Sequence, residues 1–400
     1  MKRRRFVTAA VLSLLTSPLA QAAPAAKTGT KPTAKHAPKK TVRSAAKKPA
    51  AKHTSAAAKS TQTPDNASHA IVLPDEPPPQ WRSYELRTSI TLNNANGPAR
   101  LWLPLVQYRD TPWERSFGHR WQGNHAMAGI YRDPVADMEI FYADWSEDIA
   151  EPTLEIVSHF ATQDRQFDIT HRGVSPERGE ILRRCLQATE ATPTGGIVRR
   201  TAEQAVGRIK DPLAQAKAIY DWVVENTRYD PSAQAANHTA ALLESGQLTG
   251  SGIAIALLFV GLCRAIGIPA RPAFGLRIDR SRLFGSLGVS GELNASPHCR
   301  AEFYSPGYGW IPVDPADVRQ AILDENLNPA DPRLTVLKKL LFGFWEMNWI
   351  GFNTALDVLP HGTSKGALPF LIAPLIETGA GRFDDPASGS FSCSVGALRI

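Results

Sequence analysis

The stretch GSGIAIALLFVGLCRAIGIPAR, residues 250–271, decides how this chain folds. Residues 253–266 are apolar apart from Arg264 near the end, and a segment apolar on every face is a buried helix rather than a surface one. Its uncharged part is far shorter than the ~20 residues a membrane span needs. Gly267 and Pro269 stop the helix, and RPAFGLRI (271–278) reads as a strand. HCRAEFY (298–304) is a second strand and Pro306-Gly307-Tyr308-Gly309 a turn. Residues 310–313 form a third strand that runs into Asp314-Pro315-Ala316-Asp317. The core is thus a buried helix, a strand bearing His298 and a strand delivering Asp314.

That order is similar to the way papain-like folds assemble a Cys-His-Asp triad. Between Gly250 and Asp317 the chain resembles the transglutaminase-like superfamily, specifically its bacterial exported members with an N-terminal β-domain. Four blocks match without gaps: Leu258-Phe259-Val260-Gly261-Leu262, Gly267-Ile268-Pro269-Ala270-Arg271, His298-Cys299-Arg300-Ala301-Glu302 and residues 309–319. Trp345-Glu346-Met347-Asn348-Trp349 is rarer and therefore more specific, and the resemblance runs from about Trp81 to about Asp385. It implies an α+β fold, with an N-terminal antiparallel β-sandwich followed by a papain-like transglutaminase core. It also implies cysteine-based hydrolase or acyl-transfer chemistry without cofactor or metal, with His298 and Asp314 as the thiol's partners. Trp310 and Glu302 are expected to serve in binding.

One spot departs from the family pattern. Counting back from Phe259, the nucleophilic cysteine falls on Gly252, the lysine before it on Ser251, and two following polar positions on Ala254 and Ala256. The chemistry needs a thiol at a helix N-terminus, where the dipole and a neighbouring imidazolium favour the thiolate. Glycine has no side chain to offer. Loss of the nucleophile from a serine protease triad costs about 10⁶ in rate, on the order of 8 kcal/mol. Ser251, one position earlier, is rotated about 100° away and makes a poor substitute. Cys263 shares the helical face but lies roughly 16 Å further along. Cys299 follows His298 in a strand and so points to the opposite side. Both read as small buried residues, leaving His298 and Asp314 as a remnant dyad.

The termini and the charge balance place the chain in a compartment. Lys2-Arg3-Arg4-Arg5, an apolar run to Leu15 and Ala20-Gln21-Ala22 make residues 1–22 a secretory signal. Arg3-Arg4-Arg5-Phe6-Val7 also fits a twin-arginine signal, and either route leads to the periplasm or beyond, or to an inner-membrane anchor without cleavage. Residues 23–75 are Ala-, Lys- and Pro-rich, a composition that cannot bury apolar surface and reads as a disordered linker. Of 45 Lys and Arg, fourteen precede the first acid, Asp65, leaving 31 against 38 acidic residues, a net charge of −7. The overall +7 is therefore no argument for nucleic-acid binding, and no recognition motif supports it. The basic tail instead fits contact with an anionic membrane or wall polymer, each lysine near such a surface contributing on the order of 1 kcal/mol.

Beyond the linker, Tyr84, Leu86, Thr88, Ile90 and Leu92 alternate with polar residues as in a half-buried strand. Asn96-Gly97 is a hairpin signal leading to Leu101-Trp102-Leu103. Residues 138–142 and 154–160 add strands, and an antiparallel sandwich of roughly 90 residues fits 76–172. Helices are predicted over 177–189, 197–209 and 212–226, the last capped by Asp211 with Pro212 in its first turn. The core is expected over 173–322, with 323–400 as an extension packing on it. Cys185, Cys263, Cys299 and Cys393 have no metal-like spacing, and a Cys185–Cys393 bridge is compatible with an oxidising compartment.

Three functional readings follow. One is a catalytically degenerate envelope protein that binds a peptide or cell-wall-like polymer in the old groove. Another is a working protease, amidase or acyltransferase with a substitute nucleophile. The last is a structural scaffold whose groove is filled by its own side chains.

Overall fold

The computed structural model describes residues 80–93, 97–107, 109–133, 136–170, 172–233, 238–289, 293 and 297–400. The signal and linker expected over 1–75, and Asn96 of the hairpin signal, lie outside the described residues. Arg82–Leu92 forms a strand whose even-numbered residues are buried and whose odd-numbered ones are not, as the alternation predicts. It pairs antiparallel with Thr153–Thr162 on one side and Phe391–Arg399 on the other, and Glu114–Gly123 adds the fourth strand of that sheet. A second sheet runs Gly381–Phe383, Leu375–Thr378, Ala99–Pro104, Met138–Trp145, Met127–Asp133. Ile90, Leu92 and Ile156 from the first sheet and Leu101, Phe141 and Ile376 from the second share one apolar cluster, which makes the pair a sandwich.

Two expectations are corrected here. Arg82–Leu92 and Ala99–Pro104 do not form a hairpin; they belong to opposite sheets, so the connection crosses between layers. Residues 323–400 are not simply an extension on the core either. Leu375–Thr378, Gly381–Phe383 and Phe391–Arg399 complete the two sheets of the sandwich. The physical reason is that the buried strands Arg82–Leu92 and Ala99–Pro104 would otherwise be unpaired edges, and Ile376 and Phe391 supply apolar faces to cover the sandwich interior.

The second part of the fold is built on the central helix, Gly252–Ala265, of which all residues from Ala254 onward are buried. Fully burying each Leu, Ile or Phe contributes about 1.5–3 kcal/mol, so this helix anchors the largest apolar cluster. Arg264, its one charge, is satisfied by carbonyls: Nε donates to Ala270 and Nη1 to Gln187. Against the helix packs an antiparallel sheet ordered Gly309–Val313, Pro297–Ser305, Ala270–Arg277, Trp349–Asn353. The predicted helices appear as Gly179–Arg184, Gly196–Val206 and Pro212–Asn226. The first is shorter than expected because the chain beyond it closes on itself, Thr192 N donating to Thr189 Oγ1. The second ends at Gly207, whose positive φ terminates it. Among the described residues no helix is long and apolar enough to cross a membrane.

Candidate functional site

Three chain segments converge at the N-terminus of the central helix. Ser251 is its N-cap, its hydroxyl accepting from Ala254 N at 3.3 Å. Gly252 is the first helical residue, and Gly250 pairs in parallel with Tyr229, which brings that ring alongside. His298 is the second residue of Pro297–Ser305. Asp314 ends the neighbouring strand and caps the helix Pro315–Asp324, its Oδ1 accepting from Asp317 N at 2.9 Å. The spacing of three between Asp314 and Asp317 therefore presents both carboxylates to the same side.

Imidazole geometry fixes the roles. His298 Nε2 lies 2.8 Å from Asp314 Oδ2 and 3.2 Å from Asp317 Oδ1. Nδ1 is 3.2 Å from Arg277 Nη2. A guanidinium can only donate, so Nδ1 accepts and the ring proton sits on Nε2, facing the carboxylates. A Cβ built on Gly252 would stand 3.8 Å from that same Nδ1, and 3.7 Å from both Ala316 Cβ and Tyr229 Cε2. Position 252 thus addresses one ring nitrogen and Asp314 the other. Around them is a cavity of about 260 Å³ whose lining includes Tyr229, Ser251, Arg277, His298 and Gln320.

Charge in the site is balanced by burial and pairing. Burial alone would raise the Asp317 carboxyl, but Arg277, with His298 and Arg300 behind it, holds it well below the usual carboxylate range. Burial likewise disfavours the Arg277 cation, and Asp317 at 2.5 Å more than offsets this. Arg300 Nε lies 3.4 Å from Asp314 Oδ2. The WEMNW stretch holds that arginine in place: Glu346 O accepts from it, and the Trp349 ring lies 4.9 Å beneath its guanidinium. His298, Asp314 and Asp317 present ligand atoms within 4.8 Å of one another, a spacing a metal could use. Their carboxylates, however, already face two guanidiniums, which neutralise them in a cation's stead.

Of the residues singled out from sequence, His298, Asp314, Gly252 and Ser251 come together. Glu302 and Trp310 do not join them. Glu302 faces Arg271 across the strand pair and is clamped by Arg271 and Arg165, at 2.5 and 2.6 Å. Trp310 stacks beneath Arg271 at 4.0 Å and donates Nε1–H to Glu177. Glu302 lies four residues along the strand from His298, roughly 13 Å away, which is why both belong to a different cluster. Arg277, Asp317 and Tyr229 were not picked out by sequence reasoning. A charge inside the otherwise apolar FGLRI run is the signal that could have revealed Arg277. All four cysteines are free. Burial pushes the thiols of Cys185, Cys263 and Cys299 up, and that of Cys393 up to about 11.

A buried helix whose N-terminus meets a strand-borne His and a strand-end Asp defines the α+β papain-like class. The transglutaminase-like superfamily model matches residues 199–315. An uncharacterized protein of Haemophilus influenzae is 31% identical over 294 residues, covering 69% of this chain and 78% of that one. Among solved structures, a candidate cysteine protease from Cytophaga hutchinsonii aligns with a TM-score of 0.53 at 15% identity, over 80% of this chain and 91% of that one. The periplasmic domain of TgpA from Pseudomonas aeruginosa aligns with a TM-score of 0.32 at 17% identity, over 58% and 92%. The chain belongs to the transglutaminase-like superfamily.

Proposed function

We propose that this protein is an exported, catalytically degenerate member of its superfamily that binds a peptide or peptide-like polymer of the cell envelope at the Gly252–His298 cavity. The observation that carries the reading is the empty side-chain position at Gly252, aimed at a His298–Asp314 pair that is otherwise intact. Thiol chemistry has no substitute in the chain, because every cysteine is shifted by burial toward the unreactive thiol. Ser251 is a weak rival nucleophile: its hydroxyl caps the helix, and Nδ1 of His298 is engaged by Arg277. An open cavity with a polar floor favours binding over a groove plugged by its own side chains. The signal-like sequence of residues 1–22 supports export, and the basic composition of residues 23–75 supports contact with an anionic membrane or wall.

The test pairs reactivity with binding. Iodoacetamide at about pH 6 is expected to leave all four cysteines of the folded protein unlabelled over hours. Envelope-derived peptides are expected to bind without being cleaved, and His298→Ala to change their affinity. Hydrolase or transferase activity that is lost in His298→Ala or Ser251→Ala would defeat the non-catalytic reading.

A further inference from the structure

Where the sandwich meets the core there is a second cavity, of about 170 Å³, lined by residues of both parts. Most of its charges are paired in place. Glu302 lies between Arg165 and Arg271, Glu177 faces Arg271, and Arg109 pairs with Asp137 at 2.9 Å. Indoles form part of the wall: Trp113 is half-buried at the rim with Arg165 stacked 4.0 Å from its centroid, and Trp345 and Trp349 lie deeper.

Glu114 stands out within it. Only 5% exposed, it accepts Gly351 N–H through Oε1 at 3.1 Å. Among the described residues Oε2 has no hydrogen-bond partner and Glu114 no ion pair, and the Arg165 and Arg300 guanidiniums act on it only at longer range. Oε2 is not sealed from the cavity, so a ligand hydroxyl can reach it. Arg271, between this cavity and a neighbouring one of about 550 Å³, commits only Nε to Glu302, so its remaining N–H groups are available as donors. Thr354 also borders both cavities.

We propose that this junction is a second ligand site, separate from the His298 cavity, and that it takes a neutral saccharide. Four arginines and four acidic residues line the cavity, so its formal charge is close to balanced, which disfavours a strongly charged ligand. What the cavity offers instead is a set of donors and acceptors at fixed angles beside indole surfaces. That combination suits a hydroxyl-rich ring, whose C–H face stacks on an aromatic while its hydroxyls both donate and accept. Burial pushes the Glu114 carboxyl up to about 7, so near neutrality it can serve as either partner to a hydroxyl. The adjoining larger cavity gives room for further rings of an oligosaccharide.

The experiment titrates the full-length protein with chitotriose and with cellotriose, followed by tryptophan fluorescence and calorimetry. A Kd of about 0.1–1 mM for at least one of them is expected. Trp113→Ala and Gln107→Ala, both at the half-buried rim, should each weaken binding at least about fivefold, and Glu114→Ala should weaken it more. His298→Ala should leave saccharide affinity unchanged, so loss of peptide binding at the His298 cavity and loss of this site are read independently. Thermal melts of each variant separate lost binding from lost folding. Absence of binding by either trisaccharide at about 10 mM overturns the proposal, as does binding indifferent to Trp113→Ala and Gln107→Ala but abolished by His298→Ala. Equal binding of both sugars supports recognition of the hydroxyl pattern rather than of the acetamido group.

Discussion

Replacing Gly252 with cysteine is expected to create a thiol whose alkylation rate half-rises near about pH 6–6.5 instead of the usual ~8.5. Two features favour the thiolate there: the first turn of a 14-residue helix and the Arg277 guanidinium, which lines the same cavity. The added Cβ meets its nearest neighbours at 3.7–3.8 Å, ordinary contact, so the β-carbon itself needs no displacement. A thiol of lower pKa is also a weaker nucleophile, so the net gain in alkylation rate at about pH 6 should be nearer tenfold than a hundredfold. Turnover of amides or esters is expected to stay slow. Arg277 donates to Nδ1, the nitrogen that would have to take the thiol proton. Ala254 and Ala256, both buried, stand where polar residues are expected to order the site, and a misplacement of about 1 Å costs roughly 10² in rate. Iodoacetamide kinetics across pH measure the outcome directly. A midpoint at or above about 8.5 would show that the His298–Asp314 pair does not address position 252.

Removing the guanidinium should be the most damaging single change in the site. Arg277→Ala leaves Asp317 buried at 3% exposure beside Asp314, with its closest positive partner gone. Breaking a buried pair in this way costs about 3–5 kcal/mol, which urea unfolding at about pH 7 would register. The double variant Arg277→Met, Asp317→Leu is expected to recover at least half of that, because no unpaired charge remains. The sign of the pH dependence follows from Asp317, whose folded carboxyl is held below its unfolded value. Its contribution is present above about pH 4 and is lost as the pH falls through the folded value. Arg277→Ala removes the largest cause of that depression, so the gap between wild type and variant should narrow on acidification to about pH 3. A cost under about 1 kcal/mol at neutral pH would mean that the pair does not carry the site.

Much of the architecture was legible because it depends on local pattern. The all-apolar run at 253–263 could only be a buried helix, and Asp211-Pro212 could only open one. The period-two alternation at Tyr84–Leu92 marked a strand with one covered face. His298 and Asp314 were found because the order helix, strand, strand and the motifs around them resemble the transglutaminase-like family. The vacancy at Gly252 is likewise a statement about one residue type, since no fold can give glycine a nucleophile.

Other features depended on partners far away in the chain. That Phe391–Arg399 lies against Arg82–Leu92 is a matter of which edge remained open, and no local signal in either segment encodes it. The hairpin suggested by Asn96-Gly97 failed for the same reason: turn chemistry proposes a pairing, but both edges of Arg82–Leu92 are paired by other strands. Glu302 and Trp310 sit in a motif beside His298, yet successive strand residues advance about 3.3 Å each, which carries them to a separate ion cluster. Arg277 enters the site because desolvation makes an isolated buried carboxylate too costly, and that requirement arises only when Asp314 and Asp317 are enclosed together. The sequence by itself determined the elements and the absence of a side chain at position 252; the tertiary structure decided which charges must meet, because the cost of burying them exists only once water has been excluded.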